Sequence, residues 1–409
     1  MTKVKASLLV LAYFAFISLG LPDGLLGVGW PSIARTFDVS FDSVAYLLVA
    51  STTGYLSSSI AAGFLLSRIG VGWLLAVSTA MAGLALAGYG VAPNLWFLIP
   101  CALLGGLGGG AIDAGLNAYA ATEFGPRHMN WLHACFGLGV AIGPLIMTGV
   151  IEAGAVWRLG YAIVSTAQLA LALSFVFNAR RWGRTPLPEH HAAPPAPGGV
   201  LARPAVWLSV VAFAVYVAVE AGAGLWAFLL LTRGREVDAG IAGLCVSGYW
   251  AMLFLGRVVQ GVVAERFGSH AVLVASLSGM ALGSALVAVP GPGWLAVAGL
   301  ALIGFAAAPV FPLLTLTTSE RVGAALADRV IGLQIAAAGL GGALVPSAIG
   351  LLLTRTTVEA LGPALLVLSL LLIALWWLST PRHADDRIGP VGGQPVPGAT
   401  PVPAAGSEV

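Results

Sequence analysis

Gly63-Phe-Leu-Leu-Ser-Arg68-Ile-Gly70 returns 198 residues later as Gly261-Val-Val-Ala-Glu-Arg266-Phe-Gly268, with Gly, Arg and Gly in register. Each copy closes an apolar run of helix-spanning length. Outward from this pair the correspondence continues. Gly137-Leu-Gly139 with Pro144 matches Gly339-Leu-Gly341 with Pro346, 202 residues apart. Asp23 and Glu220 stand 197 residues apart and fall in equivalent runs. The chain therefore reads as one design used twice, and two similar bundles around a central axis are what a rocking carrier needs.

The solvent of these bundles is lipid. Hydrophobic residues make up 58% of the 409, charged residues 9%, and mean hydropathy is +0.94, whereas a soluble domain carries about 25% charge. Apolar runs of about 20 residues mark twelve transmembrane helices, near 7–30, 43–66, 73–90, 95–121, 130–151, 158–177, 204–231, 240–263, 271–289, 293–315, 330–353 and 361–378. Some ends, such as 21–30, are too rich in Gly and Pro to be expected regular throughout. No stretch alternates with period two, which excludes a β-barrel. The expected fold is an all-α polytopic membrane protein with two pseudo-symmetric six-helix bundles. The N-terminal bundle covers 1–179, a linker 180–203, the C-terminal bundle 204–380 and a tail 381–409. The linker holds Arg180, Arg181 and Arg184 before a Pro/Ala/Gly stretch, a flexible composition. The tail lacks a core pattern and is expected to be disordered.

With an even number of spans both termini share a side. Of the 19 Lys and Arg, only Arg35, Arg158, Arg233, Arg235 and Arg355 fall on the opposite side, and Arg257 lies within a span. The excess predicts cytoplasmic termini in a cytoplasmic (inner) membrane. Lys3 and Lys5 before the first apolar run mimic a signal peptide, but no A-x-A-like site follows, so the segment is expected to stay. Net charge of +2 reflects topology and offers nothing to nucleic acid. Nothing requires more than a monomer.

Enzyme chemistry has no foothold. No Gly-rich loop with Lys-Ser/Thr supplies an ATP motor, no His/Cys/carboxylate cluster has metal spacing, and no cofactor is implied. Cys101, Cys135 and Cys245 lie in spans, unpaired by spacing, as small helix-contact residues.

Function is to be sought in the intramembrane acids Asp23, Asp113 and Glu220, since a carboxylate near the bilayer centre costs about 2.5–3.5 kcal/mol on insertion scales and such groups face cavities. Asp23 and Asp113 lack an evident cationic partner within the spans, which favours a protonatable site; the alternative for Asp23 is a cap on a helix break at Pro22-Asp23-Gly24. Asp113 and Asn117 are four apart and share a helix face, a carboxylate and an amide suited to a polyhydroxy ligand; otherwise Asn117 bonds across a glycine-rich contact. Tyr216 and Glu220 share a face in the same way, Glu220 serving as substrate ligand or second proton site, or simply bonding to Tyr216 or a neighbouring helix. His133, Gln334 and Trp226 complete the candidate substrate ligands, with structural roles equally open. Pro309 to Pro312 breaks the tenth span.

Beyond these residues, the two glycine–arginine loops resemble the signature G-x-L-a-D-R-x-G-R-R of the major facilitator superfamily. The second copy, with Glu265 as its acid, is the better match. In the first, Ser67 replaces the acid and Val71-Gly72 replace basic residues. That resemblance implies a cytoplasmic gating latch formed by Gly63, Arg68, Gly70, Gly261, Glu265, Arg266 and Gly268. Arg257 is expected to belong to the latch around Glu265, with the substrate site as the alternative. Leu21-Pro-Asp23-Gly, Asp113-Ala-Gly-Leu-Asn117 ahead of Gly125-Pro126, Asn130-Trp-Leu-His133, Tyr216-Val-Ala-Val-Glu220 and Gly256-Arg257 are similar to segments of the fucose:proton symporter family. His133 and Glu220 stand where the sugar carrier has amides. The resemblance implies proton-coupled symport of a small polar solute such as a monosaccharide, with Asp23 and Asp113 as the protonatable pair. The alternative is a proton-coupled antiporter exporting drugs or amphipathic cations.

Overall fold

The computed structural model describes residues 3–124, 126–182, 203–323 and 326–380; the linker after Trp182 and the tail after Thr380 lie outside them. Among the described residues the secondary structure is helical, with no strand. In chain order the helices are α1 (Lys3–Phe37), α2 (Val44–Val91), α3 (Leu95–Glu123), α4 (Pro126–Glu152), α5 (Arg158–Asn178), α6 (Pro204–Leu229) and α7 (Ala239–Phe267). They continue as α8 (Ser269–Ala288), α9 (Gly293–Ala307), α10 (Val310–Leu316), α11 (Thr318–Val322), α12 (Ala327–Arg355) and α13 (Leu361–Ser379).

Eleven helical stretches are long and apolar enough to cross a membrane, and one of them, Phe41–Val91, has 51 residues. At 1.5 Å per residue that is about 76 Å, over twice a hydrocarbon core. It turns at Gly70, whose φ of 74° and ψ of 165° interrupt α2. Gly268 does the same between α7 and α8 with φ of 82°. The repeated motif thus ends, both times, on the residue type that enters this region without a Cβ clash. Counting α2 twice and joining α9 to α10 gives the twelve crossings that the sequence pattern predicts.

Two expectations about breaks have different outcomes. The first helix runs unbroken through Pro22 and Pro31, so Asp23 caps no helix break; neighbouring helices can re-satisfy the backbone groups a proline frees in a membrane helix. The tenth span does break at Pro309, between α9 and α10, and Pro312 falls in the first turn of α10.

Lys3 and Ser379 lie on one side, here the terminal face, and the α1–α2 and α4–α5 turns lie on the opposite, far face. The outer surface is apolar, as lipid requires: Ile60, Phe177 and Val91 are 84%, 81% and 74% exposed. Within the bundles, helices meet through small residues. A Cβ at Gly139 would overlap the Ile17 carbonyl of α1, and one at Gly341 would overlap the Ala214 carbonyl of α6. Gly106 on Ser51 and Gly304 on Tyr249 form a second matched pair. The glycines that repeat in sequence therefore hold equivalent helix contacts in the two halves.

Between the halves, α4 packs on α7, α2 on α12 and α1 on α6. Gly243 abuts Thr148, Gly240 faces Glu152, and Gly350 faces Asp42, all near the far face. Ser247 donates to the Ala141 carbonyl at 2.6 Å. Gly137 meets Phe254 and Gly339 meets Thr52 and Leu56 near mid-depth. On the central axis, Gly27 of α1 lies against the Gly224 backbone of α6, where a Cβ would come within 2.9 Å of its carbonyl oxygen.

Candidate functional site

Gly27 and Gly224 are 197 residues apart, the same offset as Asp23 and Glu220. Each acid precedes its glycine by four residues, about one helical turn. The repeat thereby sets one carboxylate from each half beside the crossing, on its terminal side. Asp23 is solvent-exposed in the middle of a membrane helix, on the helix face that Gly27 turns towards α6, and its charge reaches Tyr55. This combination puts the acid on the side of α1 that meets the other half.

Asp113 holds the clearest arrangement. Its Oδ2 accepts a hydrogen bond from Tyr55 of α2 at 2.5 Å, and its Oδ1 accepts from the Asn117 amide at 2.9 Å. The i, i+4 spacing on α3 makes the second bond, and the α2–α3 glycine packing brings the tyrosine close enough for the first. Asn117 Oδ1 is buried without a hydrogen-bond partner among the described residues. Tyr55 was not singled out from sequence; a tyrosine inside an apolar run gives no sign of which neighbour its hydroxyl meets.

In the C-terminal half, Tyr216 donates a very short hydrogen bond to Glu220 and also reaches the Ala307 carbonyl at 3.1 Å. Tyr249, a second residue the sequence reading missed, donates to the Glu220 backbone carbonyl at 2.8 Å. Tyr216 is fully buried and Glu220 partly open, so the buried tyrosine fixes the position of the carboxylate. His133 is exposed on α4, edge-on to Phe16 at 5.4 Å. Arg257 lies within electrostatic reach of His133 in one half and of Tyr216 in the other. Its described surroundings thus belong to the space between the halves. Glu265, the acid of the expected latch, has no described side chain, nor have its neighbours back to Gln260. Gly63, Arg68 and Arg266 are exposed on the terminal face, the two arginines lying over Phe64 and Phe267.

Two expected ligands are placed otherwise. Gln334 is fully buried, its amide donating to Ser209 at 2.7 Å and accepting from Thr318 at 3.2 Å. Trp226 is also buried, with its indole N–H on the Pro346 carbonyl at 2.9 Å. Both tie α6 to α12 with their polar atoms occupied. Among the described residues no group of His, Cys, Asp and Glu could hold a metal ion.

A site of this kind, at the interface of two repeated bundles, has relatives. The family model for the Major Facilitator Superfamily matches residues 12–333 and, in a second match, 221–405. The chain is 24% identical over 358 residues to the glucose/mannose transporter GlcP of Bacillus subtilis (strain 168), covering 85% of this chain and 88% of that one. It is 26% identical over 253 residues to the class C tetracycline resistance protein of Escherichia coli, 59% of each. Among solved structures, the nucleoside transporter NupG superposes with a TM-score of 0.72 at 13% identity, over 92% of this chain and all of that one. A bacterial homologue of the human lysosomal transporter Spinster, inward-facing and unoccupied, gives 0.72 at 14% identity, over 93% and 97%. These are transporters and not enzymes, and the family model spans well over half of the sequence: the chain belongs to the major facilitator superfamily.

Proposed function

We propose that this transporter couples inward proton flow to the uptake of a small polar solute, with monosaccharides as the leading class. The observation that carries the reading is the Tyr55–Asp113–Asn117 group beside the exposed Asp23. A carboxylate in a membrane interior that has hydrogen-bond donors and no ion-pair partner among the described residues can exchange a proton with the solution. Asp23 and Asp113 are assigned that exchange. Glu220, positioned by Tyr216 and Tyr249, acts from the opposite half as solute ligand or second proton site. Asn117 and His133 supply further polar contacts to the solute. Similarity to a glucose/mannose transporter over most of both chains supports a sugar. Partial similarity to a tetracycline resistance protein favours a second reading, proton-coupled export of drugs or amphipathic cations.

Proteoliposome uptake of labelled glucose, mannose, fucose and a lipophilic cation, with and without an imposed pH gradient, separates the readings. One pH unit is worth about 1.4 kcal/mol per proton, enough for about tenfold accumulation at one proton per solute. Sugar accumulation that follows the gradient supports symport. Cation exchange against protons supports the antiporter, and sugar uptake indifferent to the gradient refutes coupling. The Lys/Arg asymmetry supports a cytoplasmic location for both termini. Reporters fused after Arg184 and at the C-terminus should both be internal, and an external signal from either overturns that orientation.

A further inference from the structure

On the terminal face of the C-terminal half, Gly268 turns the chain into α8 and gives that 20-residue helix no side-chain cap. The opening amides of Ser269, His270 and Ala271 have no helical acceptor, and all three residues lie on the wall of a cavity of about 480 Å³. Arg321 of α11 stands on the same wall. Only 7% of it is exposed. Its guanidinium donates to the Leu314 carbonyl and, at 3.3 Å each, to the Thr317 and Thr318 hydroxyls, all neutral, while its Nε has no partner. Glu320, exposed at the cavity rim, acts on Arg321 at longer range; among the described residues no carboxylate pairs with the guanidinium. Burial pushes Arg321 down to about 10, so it remains charged at neutral pH. A buried cation without a counter-ion is costly, and a helix N-terminus beside it adds partial positive charge with donors attached.

The internal repeat supplies the comparison. Phe124 stands 197 residues before Arg321, and the equivalent corner of the N-terminal half is filled. Gly72 sits directly on the Ala179 backbone, and Tyr119 packs its ring on Phe124 at 5.3 Å and on Trp182 at 4.9 Å. One half closes the corner with rings; the other keeps a cavity, a buried cation and an uncapped helix.

We propose that this corner binds the phosphate of an anionic ligand, either a phospholipid headgroup at the membrane surface or a phosphate free in solution. The phosphate oxygens accept from the first amides of α8 and the Ser269 hydroxyl, and Arg321 on the same wall supplies the opposing charge. Trp376 of α13 and Thr380 at its end line the same cavity, with the His270 ring tilted against Trp376 at 5.1 Å. An occupant therefore joins α8, α11 and the end of α13. The inference is independent of the solute and of proton coupling.

The test uses the full-length protein in nanodiscs of phosphatidylcholine, with or without phosphatidylglycerol. Thermal midpoints are measured against inorganic phosphate at matched ionic strength, and native mass spectrometry counts retained lipid. Ser269→Asp is the main variant: an acid in the first turn suits the helix, so the protein folds, but its carboxylate occupies the anion's place. It should weaken the response about tenfold, as loss of one charge-assisted bond does, and Arg321→Gln should weaken it at least as much. Arg266→Gln, an exposed cation off the cavity wall, should leave it unchanged. Stabilisation by inorganic phosphate in neutral discs identifies a soluble ligand; retained phosphatidylglycerol alone identifies the lipid. No response of the native protein to either probe overturns the site, as does a response that Ser269→Asp leaves intact or that Arg266→Gln removes equally.

Discussion

Asp113→Asn separates charge from structure with little disturbance. The carboxylate accepts from Tyr55 on one oxygen and from Asn117 on the other. The new amide still accepts from Tyr55 but turns an NH2 towards the NH2 of Asn117. That clash is removed if Asn117 rotates its amide, because its Oδ1 is buried without a partner and becomes the acceptor. Both bonds survive, each falling from the roughly 1.5–3 kcal/mol of a charged partner to about 1 kcal/mol. The loss is roughly 1–4 kcal/mol in total, offset by relief of a buried charge whose desolvation is itself worth several kcal/mol. The variant should therefore fold and bind. If Asp113 carries the proton, accumulation under a one-unit pH gradient should fall about tenfold, to the equilibrium level, while solute counterflow persists. Thermal midpoint, counterflow and gradient-driven uptake on one preparation decide the matter. Undiminished accumulation refutes the proton role, and loss of folded protein refutes the re-closed network.

Asp23→Cys in a cysteine-free background should react with small hydrophilic thiol reagents in membranes, whereas Ala15→Cys, at a fully buried position, should not; protection of the former means Asp23 does not line the pathway. Gln334→Leu strands Ser209, at roughly 1–3 kcal/mol for a buried group left unsatisfied, while Thr318 keeps the Leu314 carbonyl. It should lower thermal stability, and a stable variant with altered solute affinity would return Gln334 to the binding site. Gly139→Val has to push apart α1 and α4 and should abolish folded protein, while Gly63→Ala, with open space around it, should be neutral; equal yields would undercut the matched glycine contacts.

Periodicity and repetition made the architecture legible before any coordinates. An apolar run of spanning length leaves few alternatives in lipid, and Gly70 and Gly268 mark their turns because positive φ selects for glycine. Continuity of α1 through Pro22 and Pro31 was not legible, since a proline's freed carbonyl can be satisfied by neighbours that local sequence does not name. The candidate site divides along similar lines. Acids announce themselves by their cost in a membrane, so Asp23, Asp113 and Glu220 stand out. Tyr55 and Tyr249 do not, because their importance lies in what their hydroxyls reach across a helix contact. Gln334 and Trp226 look like ligands in sequence and are tied to other helices in the structure; which face of α6 or α12 turns inward is decided by packing. Arg257 lies within electrostatic reach of His133 and Tyr216, a proximity its place near the end of a span does not announce, while Glu265 has no described side chain.

The meeting of Gly27 with Gly224 has a mechanical consequence. Side chains interlocked at a pivot act as gear teeth, and turning the joint means lifting each tooth from its socket. Two bare backbones form a smooth bearing instead. Rotation of one half on the other disturbs little at the centre, and the resistance is concentrated at the rim, where Gly243 abuts Thr148 and Gly350 meets Asp42. Changes at the rim should then alter how long the carrier dwells on each side of the membrane, whereas bulk added at Gly27, whose Cβ would meet the Gly224 carbonyl, should jam the stroke itself.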